Sequence, residues 1–232
     1  YIGMPIEKGF EMLPKNWNEK VVKITHTAIQ KSSEAALFTI KDQPGRKTSN
    51  NWHRLAVAAS GGVGGFFGFA GLAAEIPVST TLMLRSIADI ARSQGESVKN
   101  IETKLECMQV LALGGESDSD DGTESGYYVT RALLTKSMTE AADLIAKKGF
   151  AEEGAPVLVR FFANIASRFG IQVSEKAAAQ AVPIIGAISG AALNTIFMNH
   201  FQDMATGHFI VRKLERIHGK EVIEELYKQI PN

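Results

Sequence analysis

Leu55-Ala-Val-Ala-Ala-Ser-Gly-Gly-Val-Gly-Gly-Phe-Phe-Gly-Phe-Ala-Gly-Leu-Ala-Ala74 is the stretch on which the fold reading turns. It carries no charge and holds Gly61, Gly62, Gly64, Gly65, Gly68 and Gly71. Each interior glycine costs a helix about 1 kcal/mol relative to alanine, so six together imply close packing that offsets the loss. The counterpart is Ala177 to Asn199, equally uncharged and rich in alanine and glycine. On a helical wheel Gly64, Gly68 and Gly71 share a stripe with Glu75, and Gly186 and Gly190 share one with Asn194. The expectation is an all-α single bundle with these as two central helices meeting through small faces. Each stretch is also roughly the length that crosses a bilayer core, and Gly61/Gly65, Gly64/Gly68 and Gly186/Gly190 are small-xxx-small pairs. Reversible lipid contact and a transmembrane hairpin therefore stand as alternatives, although glycine and alanine are weakly apolar.

Outward from these stretches helical periodicity dominates. Trp17, Val21, Ile24, Ala28, Ala35 and Phe38 recur at three- and four-residue steps between Pro14 and Ile40, which predicts an amphipathic helix. Gln43-Pro44-Gly45 marks a loop. Pro77 suits a helix start, with Gly95 as the C-terminal stop near Gln94. Further helices are expected over Val98–Leu113, Tyr127–Lys148 and Ala155–Phe169, a short one capped by Ser174, and a long one from Pro183 to His218 interrupted at Gly207. A last helix over Glu221–Gln229 brings the count to eight or nine. Residues 114–126, with Glu116, Asp118, Asp120, Asp121 and Glu124 among serine and glycine, read as an acidic flexible linker. An EF-hand register fails there, because counting from Glu116 puts Asp121 where glycine is required.

With 25 basic and 25 acidic residues in 232, the chain lacks the cationic excess of a phosphate-backbone binder, so no nucleic acid partner is expected. The lone Cys107 cannot form an internal disulfide. Tyr1 to Pro14 shows no signal-peptide pattern. A cytoplasmic address, peripheral to the inner membrane, is the expectation.

Two separated motifs carry a family resemblance. Ala74-Glu75-Ile76-Pro77-Val78 is followed by the run from Thr80 to Ala91, and Val182-Pro183-Ile184-Ile185-Gly186-Ala187 continues into Gly190-Ala191-Ala192-Leu193-Asn194. With the glycine run before Glu75, this pattern resembles the EcsC protein family over Trp52 to Gly219. The family takes its name from a bacterial gene neighbouring an ABC-transporter ATPase and its membrane subunit. The resemblance thus implies a membrane-transporter association and no particular reaction, and the acidic linker looks like an insertion particular to this chain.

The candidate polar site comprises Glu75, Thr81, Arg85, Asp89 and Asn194. Thr81, Arg85, Asp89 and Arg92 fall on one helix face, where Arg85 and Asp89 can pair at i,i+4, and Glu75 is placed to favour a helix N-terminus. The sharper reading converges Glu75, Arg85, Asp89 and Asn194 in one buried site, fit for a lipid head group or proton transfer. His200, Asp203 and His208 are weak metal candidates, lacking the i,i+4 histidine pair of a zinc helix, and no metal or cofactor is expected. Ser189 misses the Gly-x-Ser-x-Gly elbow, and Cys107 lies on a core pattern. The first functional expectation is an accessory protein at the cytoplasmic membrane surface, meeting a lipid or a membrane-protein partner. A lipid or peptide hydrolase using Glu75 or Asp89 as acid or base is the second, and a soluble helical scaffold the third.

Overall fold

The computed structural model describes residues 11, 13, 15–37, 39–45, 47–66, 68–113, 125–148, 155–181 and 186–230, with side chains described outside 62–73, 125–126 and 179–189. Among them are eight helices and no strand: α1 (Trp17–Leu37), α2 (Asn50–Phe66), α3 (Gly68–Ser93), α4 (Ile101–Leu113), α5 (Ser125–Lys148), α6 (Pro156–Ala181), α7 (Gly186–His218) and α8 (Lys220–Tyr227). The all-α bundle expected from periodicity is the fold.

Each apolar stretch spans a junction between helices. Leu55–Ala74 is shared by α2 and α3, and Ala177–Asn199 by α6 and α7. The chain reverses between α2 and α3: a straight helix would hold residues 36 positions apart at about 54 Å, yet His53 Nε2 lies 2.9 Å from Asp89 Oδ2. Pro77 does not start a helix. It lies inside α3, and the tertiary setting outweighs the lost N–H, because Glu75 and Ile76 just before it are buried. The Pro77 carbonyl accepts from Ser32 Oγ of α1 at 2.9 Å and from Thr81 Oγ1 at 2.8 Å. Ser174 likewise caps nothing, since α6 runs through it, and α7 continues unbroken past Gly207. A Cβ at Gly207 would meet nothing within 4 Å, so that glycine marks neither a crossing nor a turn. Gly95, with φ +88°, does end α3.

The helix buried on all sides is α4, where Leu105 to Ala112 form an unbroken buried run. Phe161, Phe162 and Phe169 of α6 and Phe201 and Phe209 of α7 belong to the same core. Of the expected packing stripe, Gly64, Gly68, Gly71 and Gly186 lie outside the described side chains. Gly190 lies within them, and its carbonyl oxygen would be 2.4 Å from a Cβ placed on Gly61. That crossing seats α2 against α7, and only glycine fits it. Residues 114–124 of the acidic linker also lie outside the described residues, while Ser125 and Gly126 open α5.

Candidate functional site

At the α2–α7 crossing three polar side chains meet in the interior. Asn194 Nδ2 donates to Glu75 Oε1 at 2.7 Å and to the Val57 carbonyl at 3.0 Å. Lys176 Nζ donates to both oxygens of Glu75, at 2.9 and 2.8 Å. The side chains of Lys176 and Glu75 are each only 3% exposed. Burial pulls the Lys176 ammonium below its usual range, and the Glu75 carboxylate opposes that pull. The Phe197 ring flanks the ammonium, 5.5 Å from its centroid to Nζ. Asn194 Oδ1 is buried and has no hydrogen-bond partner among the described residues, which leaves one acceptor inside the cluster.

The sequence shows why these charges sit here. No Asp, Glu, Lys or Arg lies between Arg54 and Glu75, or between Lys176 and Asp203. Glu75 closes the first charge-free stretch and Lys176 opens the second, and they neutralise each other inside. The sequence reading named Glu75 and Asn194 and missed Lys176. Its signal was available, since it bounds the second stretch as Glu75 bounds the first.

The other candidates lie elsewhere. Asp89 Oδ2 meets His53, and its Oδ1 accepts from Arg92. Burial, aided by the Arg85 and Arg92 charges, holds His53 below its usual value. Arg85 does not pair with Asp89 as expected. It donates to the Ala35 carbonyl at 3.2 Å and to Thr39 Oγ1 at 2.8 Å, tying α3 to the end of α1. Thr81 Oγ1 lies 3.0 Å from Ser32 Oγ. The structure therefore joins Glu75 with Asn194 and keeps Arg85 and Asp89 in separate contacts, because fourteen residues of α3, about 21 Å, separate Asp89 from Glu75. Both oxygens of each carboxylate are already engaged, an arrangement that favours holding helices over shuttling protons.

His200, Asp203 and His208 are not brought together. His200 and Asp203 are exposed, whereas His208 is buried, with Nδ1 3.0 Å from the Tyr127 hydroxyl and Nε2 3.0 Å from Glu106 Oε2. That second approach lacks hydrogen-bond alignment. Burial lowers the His208 pKa, against the pull of Glu106. Among the described residues no group of three or more His, Cys, Asp or Glu is arranged to hold a metal. Cys107 is fully buried, and burial pushes its thiol up, consistent with its core reading.

A second polar region, unforeseen in sequence, lies at the far end of α7. Arg212 reaches Glu96 at 3.2 Å, Glu102 at 3.1 Å and Glu106 at 2.5 Å. Arg131 of α5 forms a two-pronged pair with Glu215 at 2.7 and 2.9 Å. Beside them opens a cleft of about 700 Å³ between α4, α5 and the α7–α8 corner.

In comparisons with known proteins, the family model described as the EcsC protein family matches residues 5–214. Neither the curated proteins nor the solved structures give a match.

Proposed function

The chain belongs to the EcsC protein family, and from that premise we propose that it is an accessory protein whose charge-free end meets a lipid surface or a membrane-embedded partner. The observation that carries this reading is the internal pairing of Glu75 with Lys176. Without it, the two long charge-free stretches would each be bounded by an open charge. With it, the helix ends around the Gly61–Gly190 crossing add no side-chain charge to the surface. About 9 Å along the helices from that crossing, α2 exposes Leu55 and α7 exposes Ile196, and nearly a turn further along α2 Trp52 is 68% exposed beside Arg54. Tryptophan is favoured at membrane interfaces, and exposed apolar side chains supply surface binding. No described helix is long and apolar enough to cross a membrane, so the reading concerns contact at the surface.

Flotation of the purified chain with vesicles, neutral and anionic, tests it. The protein is expected to float with vesicles and to lose that behaviour in the Trp52→Glu/Leu55→Glu variant. A fully soluble fraction with both vesicle types overturns the reading.

A further inference from the structure

The cleft beside Arg131 lies at the opposite end of α7 from the charge-free surface: Asn194 and Arg212 are eighteen residues apart, about 27 Å along the helix. It follows α5 from Tyr128 to Asp143, fifteen residues or about 22 Å, so it is elongated. Five carboxylates and three cationic side chains line it, giving a negative balance. Its guanidinium groups are engaged internally, Arg131 by Glu215 and Arg212 by Glu96, Glu102 and Glu106. The hydroxyls of Thr135 and Thr139 donate to their own helix, at 2.7 and 3.0 Å, which leaves their oxygen lone pairs facing outward as acceptors. Gln109 contributes to the wall and is only 2% exposed. Between these polar groups the lining is apolar, with Leu105, Met138 and Ala142.

A long cleft with a negative balance, spare acceptors and apolar gaps is complementary to a flexible chain of methylenes interrupted by ammonium groups. We propose that it binds a linear aliphatic polyamine, with Asp143 and Glu224 taking ammonium groups toward its two ends, Gln109 accepting between them, and Leu105, Met138 and Ala142 covering the methylenes. A compact metal ion would use neither the length nor the apolar lining.

Isothermal titration of the full chain with spermidine at low salt tests the assignment. Asp143 is exposed, and among the described residues Glu224 has only the exposed Lys228 as ion-pair partner, at 3.4 Å, so Asp143→Asn/Glu224→Gln should leave the ligand-free melting temperature unchanged. The expected result is a saturable one-site isotherm that weakens about fivefold or more in this double variant, as losing two solvated charge contacts would produce. Gln109→Leu should weaken binding as well, independently of charge. Magnesium chloride at equal ionic strength should not displace the polyamine. Absence of saturable heat, equal affinity in both variants and the parent, or displacement by magnesium would each overturn the proposal.

Discussion

The two ends of α7 handle charge in opposite ways. Around Asn194 a single ion pair, Glu75 with Lys176, is sealed between helices and leaves the neighbouring chain without charge. Around Arg212 charges are gathered into a network of Glu96, Glu102 and Glu106, next to the Arg131–Glu215 pair, and they border an open cleft. A sealed pair must be matched to its partner, because taking either charge out of water is repaid only by the other. The Arg212 network is also largely buried, with only Glu102 open to water at 70%, but Arg212 has three carboxylate partners, so losing one contact leaves others in place. The same kind of interaction therefore carries different stakes at the two ends.

Lys176→Met puts that contrast to its hardest test. It strands the Glu75 carboxylate in the core and should cost about 3–5 kcal/mol in urea unfolding, whereas adding Glu75→Leu should recover most of the loss. Equal costs for the single and double variants would show that packing, not charge, dominates there. Gly61→Ala should come next. At an exposed helix position the change would gain about 1 kcal/mol, but here the new Cβ would sit 2.4 Å from Asn194 Nδ2 and from the Gly190 carbonyl. Overpacking of this kind costs about 1–3 kcal/mol, so the sign of the measured change reports the crossing.

At the charged end Arg131→Met should cost about 1.5–3 kcal/mol, less than Lys176→Met, since Glu215, although its side chain is only 10% exposed, keeps the Tyr128 hydroxyl as a donor. That tyrosine, pushed up to about 12 by burial and by the Glu215 carboxylate, stays a neutral donor. The mildest effect is on pH dependence. Burial holds folded His208 below its unfolded value of 6.5, so below about that pH the unfolded chain takes up a proton that the folded chain refuses. Stability then falls as pH drops from 7 toward 5, by at most about 1.4 kcal/mol per pH unit for this group. His53 acts in the same direction. Glu106, whose folded pKa is also lowered, loses its contribution only further down, below 4.5. His208→Gln should flatten the melting-temperature profile between pH 7 and 5, and an unchanged slope would remove His208 from the account.

Much of this architecture was legible in sequence because it is local. The three- and four-residue spacing of Trp17, Val21, Ile24 and Ala28 marks α1 without reference to anything else, and Gly95 marks the end of α3 through its positive φ. What local reading misplaced depended on distant partners. Pro77 reads as a helix start, yet its helix continues upstream because Glu75 is fixed by residues 101 and 119 positions away. Arg85 and Asp89 have suitable spacing to pair, but His53 claims one oxygen of Asp89 while Thr39 receives Arg85. Within the candidate site, Glu75 and Asn194 were found through the stripes they share with glycines. Lys176 was missed because a lysine at the edge of an apolar stretch is ordinarily read as solvated. The cleft was invisible because its walls come from α4, α5, α7 and α8, and no spacing rule connects them.

The central claim, that the charge-free end is a membrane-contact surface, is tested most directly by the emission of Trp52. The chain has two tryptophans, of which Trp17 is buried and Trp52 exposed, so Trp17→Phe leaves Trp52 as the sole reporter. Addition of anionic vesicles should shift its emission to the blue and shield it from an aqueous quencher. Emission and quenching that stay unchanged at saturating lipid would contradict the account.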